Sequence, residues 1–261
     1  MTSTTSSNTA TTPVESSRVT TQHRSGDPDL AFQTDDQIYP PKFGDKYEER
    51  AYLKHRLTLA FRIFANYGFS EGLAGHITVR DPVDPESFWV NPFGLHFSLI
   101  RDEDLIRVDH TGKVVDGGRN RRLNYGTTYG RAFCATDHVL YTNFAGLVFA
   151  TEEGKAIAAC LGDRKAALLG NHGLLTAGPS IEAAVAWFVL LEKLCEIQLA
   201  ADASAAGSGK PLVKIGHEEA LSTHHAIGRP EGGYFTGLTL FQVVEKEFGE
   251  MTFLGRGVES L

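Results

Sequence analysis

Two short apolar runs joined by a polar elbow constrain this chain more than any other stretch. The runs are 166–169 and 174–177, and the residues between them, 170–173, read Gly-Asn-His-Gly. Short apolar runs bounded by glycine are typical of buried strands. Because glycine lets the backbone bend tightly, the imidazole of His172 would be presented at a sheet edge. We expect a catalytic or metal-binding histidine here, or equally a histidine that only bonds the turn backbone.

Length and composition predict one α/β domain rather than several. The chain has 261 residues, of which 42% are apolar and 22% charged, as in ordinary globular proteins. Its formal net charge of −7 argues against a nucleic-acid partner and against anionic membrane surfaces. No apolar run is long enough to span a bilayer.

Residues 1–37 are predicted to form a disordered tail rich in serine and threonine, because they lack apolar periodicity. The folded domain is predicted over 38–261. The tail has no apolar core typical of a secretory signal. The three cysteines are scattered, and their spacing matches no metal-binding or redox motif. We therefore expect a cytoplasmic protein.

Apolar periodicity predicts one helix, then short strands, then further helices. The first helix is predicted from Glu48 to Tyr67, with Lys54, His55, Arg56 and Arg62 largely off its apolar stripe. The remaining elements are predicted as strands at 77–80, 88–91, 104–108 and 114–115, and as helices at 151–161, 180–205, 218–226 and 238–248, with 200–209 a linker or frayed helix end.

Several segments together resemble the class II aldolase/adducin family, in its fungal small-protein branch. No single motif decides the resemblance, but the segments occur in the family's order over nearly everything from about residue 45 onward. They are 62–69, 74–82 (Ala-Gly-His-Ile-Thr-Val-Arg-Asp-Pro), 88–94 (Phe-Trp-Val-Asn-Pro-Phe-Gly), 104–109, 129–133 (Tyr-Gly-Arg-Ala-Phe), 171–176 (Asn-His-Gly-Leu-Leu-Thr) and 187–192.

The resemblance implies an α/β fold with three α/β/α layers and a mostly antiparallel central sheet. It also implies a homo-oligomer and a small-molecule substrate. Family enzymes use a divalent metal, usually zinc, as an electrophile in cleaving or forming carbon–carbon bonds or in decarboxylation. A Lewis acid of this kind polarises a carbonyl and stabilises the enolate oxygen.

One part of the family pattern is missing, so the domain is predicted to be truncated in its middle. The family places a His-x-His metal-ligand pair just before the segment that 129–133 matches, and a third ligand where His172 stands. Here 124–126 read Asn-Tyr-Gly, and the stretches between Gly118 and Tyr129 and between Phe133 and Asp137 are too short. A lone imidazole is a weak zinc site.

His172 is thus the one metal ligand that the resemblance implies, and Thr78, Asn91 and Gly94 are implied to line the substrate pocket. Polar and glycine residues at strand ends are also ordinary turn formers. No catalytic residue is predicted. Further imidazoles that a rebuilt metal site would draw on are those of His76, His96, His138, His224 and His225.

Three hypotheses follow from this pattern. The chain is a metal-dependent lyase or decarboxylase whose missing ligands come from elsewhere, or a non-catalytic, adducin-like binding or oligomerisation module. The third hypothesis is that this sequence is an incomplete version of a real enzyme. Coding segments would then have been lost on both sides of 127–134. Bound zinc would favour the first, and its absence the second.

Overall fold

A computed structural model describes residues 39–72, 74–118, 137–142 and 151–248. The predicted tail 1–37 and the residues at 124–126 lie outside this part of the chain. The elements, in chain order, are α1 (Lys46–Asn66), β1 (Thr78–Arg80), β2 (Ser87–Val90), β3 (Ile106–Asp109), β4 (Val114–Gly117), β5 (His138–Tyr141), α2 (Thr151–Leu161), β6 (Ala166–Leu169), β7 (Gly173–Thr176), α3 (Ile181–Ser208), α4 (His217–Ile227) and α5 (Pro230–Glu247).

The strands form two sheets within the described residues. The first has the order β1-β2-β3-β4 and is antiparallel throughout. The second has the order β5-β6-β7, with β5 parallel to β6 and β6 antiparallel to β7. The prediction of helices around a mostly antiparallel sheet is confirmed, although the sheet is divided into two parts.

Helix α1 carries the core. Asp45 caps it by accepting a hydrogen bond from the amide of Tyr47 at 2.9 Å, which satisfies one of the free N–H groups of the first turn. Its apolar stripe is buried against the first sheet, α3 and α5. The core side chains from these elements include Leu57, Phe61, Phe64, Trp89, Ile181, Val185, Phe241 and Val244.

A buried ion cluster joins α1 to α3 and α5. Arg56 is only 4% exposed. Its Nε donates to Glu182 Oε1 at 2.7 Å, and its Nη1 donates to Glu245 Oε1. The placement of Arg56 off the buried stripe was therefore wrong. Arg56 lies on the inner side of α1 because two carboxylates from other helices receive its guanidinium there.

Helix α5 starts at Pro230, eight residues before the predicted start. Three glycines in its first half weaken the helical signal, since glycine is a poor helix former. They are needed for packing: a Cβ at Gly233 would lie 2.7 Å from the Trp187 indole, and a Cβ at Gly237 would lie 2.3 Å from the Glu182 carbonyl oxygen. Only glycine lets α5 approach α3 this closely.

Helix α3 continues to Ser208, so the prediction of a linker or frayed end at 200–209 was wrong. Its buried residues all lie in the first two turns, between Ile181 and Trp187. Further along the helix, Leu190, Leu194 and Ile197 are exposed. No helix of the described residues has the length and apolar character needed to cross a membrane.

The ion cluster generates a stability prediction. Replacing Arg56 with Met leaves Glu182 and Glu245 buried without their partner, so we expect a loss of about 3–5 kcal/mol in the free energy of unfolding. Urea denaturation followed by circular dichroism measures this loss. Adding Glu182→Gln and Glu245→Gln should recover part of it, because the unpaired charges are then removed.

The matched control is Lys193→Met, which removes a cation from an exposed pair on α3 and should change the free energy of unfolding by under about 0.5 kcal/mol. An Arg56→Met variant as stable as this control would contradict a structural role for the ion cluster.

Candidate active-site cavity

A cavity of about 990 Å³ lies between the two sheets. Strands β1 and β7 both line it, and within the described residues each is the edge strand of its own sheet. The first turns of α3 and the end of α4 complete the wall. A large concave site between sheet edges is the default location for a ligand.

The loop between β6 and β7 presents His172 beside this cavity wall. Asn171 has a φ of 54°, a left-handed conformation that is uncommon outside glycine. The Gly170 amide donates to the Tyr141 carbonyl at 2.7 Å, and the His172 amide donates to the Leu169 carbonyl at 3.0 Å. The predicted pair of strands around a polar elbow is confirmed. The imidazole of His172 is exposed at the turn, and β7 is only partly buried.

The three predicted substrate residues lie at one end of the β1–β2 hairpin. Thr78 lines the cavity and is paired with Val90, so Asn91 follows immediately after its partner. Gly94 has a φ of 79°, which fits a turn position. Asn91 and Gly94 are not part of the cavity wall. The Asn91 side chain is buried, and its Oδ1 has no hydrogen-bond partner among the described residues.

His76 lies close enough to His172 for their charges to interact. Part of the His76 side chain is exposed, but many protein atoms surround it and remove water from the ring. Desolvation, and then the neighbouring His172, lower the pKa of His76 below its ordinary value of 6.5. A neutral imidazole next to the predicted ligand His172 is therefore favoured at neutral pH.

The other candidate histidines are occupied elsewhere or lie too far away. His138 is paired with Ala166 at the end of the second sheet that holds Thr176, whereas His172 precedes Gly173 at the other end. The strand rise puts about 10 Å between these two ends. His96 accepts a hydrogen bond from the Ser98 amide, at the start of a 3₁₀ turn.

The described residues do not assemble a metal cage. No group of three or more His, Cys, Asp or Glu side chains within 39–72, 74–118, 137–142 and 151–248 could hold an ion. A catalytic zinc site takes three protein ligands and leaves one open position. The arrangement around His172 therefore does not fit a bound zinc in this part of the chain.

Two tyrosines supply neutral hydroxyl groups near the cavity, a feature that the sequence did not reveal. Tyr52 and Glu182 are part of the cavity wall. Burial, and then the Glu182 carboxylate, raise the pKa of Tyr52 and raise that of Tyr234 to about 12. Both hydroxyls stay protonated at physiological pH, and the hydroxyl of Tyr52 is hydrogen-bonded to that of Tyr234.

Comparison with known proteins identifies relatives over most of the chain. A family sequence model described as the class II aldolase and adducin N-terminal domain matches residues 55–129 and 122–199. Decarboxylase NovR of Streptomyces niveus is 39% identical, with 78% of this chain and 86% of that protein covered. The 4-hydroxy-3-prenylphenylpyruvate oxygenase/4-hydroxy-3-prenylbenzoate synthase of Streptomyces roseochromogenus subsp. oscitans is 40% identical, with 67% and 76% covered.

A solved structure gives the same picture of the fold. L-fuculose 1-phosphate aldolase from Glaciozyma antarctica PI12 matches with a TM-score of 0.70 and 36% sequence identity. The match covers 82% of this chain and 96% of that chain.

The alignments also bear on the shortened middle of the chain. The match to the Streptomyces niveus decarboxylase runs over 243 positions but takes in 78% of the 261 residues, or about 204 of them. About 39 alignment positions therefore hold a residue of the relative and none of this chain. The two family matches overlap at residues 122–129, within the region that the sequence predicts to be shortened.

The pair of imidazoles generates a titration prediction. We expect the ring signals of His76 to titrate below pH 6.5, because desolvation and the His172 charge disfavour its protonated form. Nuclear magnetic resonance of ¹³C-labelled histidine rings measures the midpoint. The His172→Gln variant should raise it, whereas His110→Gln, at the far end of the first sheet, should leave it unchanged.

The same shift has a consequence for stability. A histidine whose pKa is lowered by folding takes up its proton more readily in the unfolded chain, so stability falls as the pH drops through 6.5. A His76→Gln variant should lose less stability on this acidification than the parent. An equal loss in both proteins would show that His76 is hydrated like a surface residue.

Proposed function

This chain belongs to the class II aldolase and adducin family, and on that premise we propose that it descends from a carbon–carbon lyase or decarboxylase. The cavity between β1 and β7 would be its substrate site, and a small oxygenated compound its substrate. The observation that carries the proposal is the family match over residues 55–129 and 122–199, together with a decarboxylase and an aldolase among the relatives.

The names of two relatives support this class of reaction. One is a decarboxylase and one an L-fuculose 1-phosphate aldolase, whereas a third is named as an oxygenase and prenylbenzoate synthase. Aldolases and decarboxylases share a chemical demand, since both develop negative charge on carbon beside a carbonyl group. A site for either reaction must stabilise that charge.

Family members typically depend on a divalent metal, for which zinc is our proposal. A bound zinc would supply the Lewis acid that polarises the substrate carbonyl. His172 alone cannot hold it tightly, and the described residues offer no third ligand. We therefore infer that the metal site of this chain is incomplete.

The chain's own residues would still bind and orient a ligand. The wall of the cavity combines aromatic and aliphatic side chains with a few polar groups, as is usual for a small-molecule site. Thr78 would donate its hydroxyl hydrogen to a ligand oxygen, and the apolar part of the wall would contact the body of the ligand. These contacts position a ligand without requiring the missing pair.

The alternative function is a non-catalytic binding or oligomerisation module, as the adducin branch of the family name suggests. The incomplete ligand set favours it, because a folded domain with an inactive site can still bind a partner. A third possibility is that coding segments are missing around 127–134, and the alignment positions without a counterpart in this chain support it. A transcript that encodes only these 261 residues would exclude that possibility.

Grafting tests the proposal. We expect the purified parent chain to hold well under one divalent ion per chain by mass spectrometry of metals, and His172→Ala to leave that content unchanged. A chimaera in which residues 119–136 are replaced by the aligned segment of the Streptomyces niveus decarboxylase should bind about one ion per chain.

The graft carrying His172→Ala is the matched control and should lose that ion. One zinc bound per parent chain, and lost with His172→Ala, would instead mean that a complete site already exists. A chimaera that folds but binds no ion would contradict the assignment of His172 as a ligand position.

A further inference from the structure

Three charged or titratable side chains meet at the end of the cavity formed by α4. Asp137 Oδ2 accepts a hydrogen bond from His224 Nδ1 at 3.0 Å and one from Lys165 Nζ at 3.1 Å. Asp137 precedes β5, Lys165 precedes β6, and His224 lies on α4, 87 positions along the chain from Asp137. Lys165 and His224 are both part of the cavity wall.

The cluster is held in place from several sides. Lys165 is 8% exposed; its Nζ also donates to the Gly228 carbonyl and lies 5.1 Å from the centre of the Trp187 ring. A Cβ at Gly228 would lie 2.7 Å from His224 Nδ1, so the close approach at this helix end depends on glycine. The buried Lys165 ammonium is thus paired with a carboxylate, which makes its burial tolerable, whereas Asp137 Oδ1 has no hydrogen-bond partner among the described residues.

The hydrogen bond to Asp137 defines the chemistry of His224. An ionised carboxylate only accepts hydrogen bonds, so it favours the imidazole form that carries its proton on Nδ1. The basic nitrogen is then Nε2, on the opposite side of the ring. A carboxylate in this relation orients the imidazole and stabilises its protonated form, as in other acid–base sites.

We propose that His224 is a general base of the cavity, that Asp137 is its positioning residue, and that this dyad works without a metal. Lys165 compensates the charge of Asp137, so that the cluster stays near neutral when His224 is unprotonated. The cavity wall includes the apolar side chains of Leu174, Val185 and Phe188, and the Trp187 ring lies beside Lys165. The fitting ligand is a compact, apolar-bodied molecule with an acidic C–H or O–H bond.

The proposed step is a single proton transfer. The acidic hydrogen of the ligand moves to His224 Nε2, the bonding electron pair stays on the ligand, and the imidazolium faces Asp137. The proton then leaves to solvent. No oxidant, reductant or metal is required, so this inference is independent of the proposed lyase function.

The test uses 5-nitrobenzisoxazole, an aromatic carbon acid that opens when a base removes its ring proton. The C–H and N–O bonds break, a nitrile forms, and the phenolate product is followed by absorbance. In the presence of a metal chelator we expect the full chain to show saturable turnover. His224→Gln should lower kcat/KM at least about tenfold, within the range of general-base effects.

His225→Gln is the matched control, because His225 is the exposed neighbour on α4, and it should react like the parent. Asp137→Asn should lower kcat more than it changes KM, since the imidazole loses the carboxylate that fixes its tautomer and orientation. A merely structural Asp137 would change kcat and KM in no such ratio.

A second measurement covers the case in which His224→Gln does not fold. Diethyl pyrocarbonate should modify His224 in the parent chain, as read by peptide mass spectrometry, and 5-nitrobenzisoxazole should protect it. Absence of saturable turnover, an unchanged rate in a folded His224→Gln variant, or modification of His224 without protection would each overturn the proposal. Failure of the metal graft would leave it standing.

Discussion

The guanidinium of Arg56 is the interaction on which the arrangement of the helices depends. It links α1 to Glu182 at the start of α3 and to Glu245 near the end of α5. A buried cation of this kind adds little net stability compared with apolar packing, but removing one partner is costly. Its effect is to fix how three helices meet, and the close glycine-mediated contact of α3 with α5 requires that fixed geometry.

The same cluster shapes the cavity. Glu182 pairs with Arg56 and also belongs to the cavity wall, and its charge contributes to the raised pKa of Tyr52. Glu182 therefore contributes both to the stability of the fold and to the wall of the cavity. The wall of the cavity on this side comes from α1 and α3, which lie outside the shortened part of the chain. The shortening that we propose around 119–136 would therefore leave this wall in place.

The sequence predicted much of the fold because its strongest signals are local. The stripe of α1, the cap of α3 at Ser180 and the glycine-bounded strands β6 and β7 each follow from a few neighbouring residues. Strand β5 was not predicted, and β3 was predicted to start at 104, where Asp102–Asp104 form a 3₁₀ turn. Elements of four residues are too short for a periodicity to show.

The site was harder to predict, because its contacts join residues far apart in the chain. Arg56 reads as a surface residue until the two distant glutamates are known, and Asp137 reads as part of a loop until His224 is placed beside it. For His172, Thr78, Asn91 and Gly94 the resemblance supplied roles that the local pattern cannot give. In the structure Thr78 lines the cavity, whereas Asn91 and Gly94 do not.

A metal cage and an acid–base dyad respond differently to the loss of an internal segment. Three ligands must converge on one point, so losing two of them removes nearly all of the affinity. A dyad needs only one oriented hydrogen bond, and both of its members here lie outside the shortened stretch. On our proposal, the cavity can keep a proton-transfer group even where a Lewis acid has too few ligands. Because the dyad sits at the α4 end and His172 at the β6–β7 turn, the two chemistries can be separated by single substitutions.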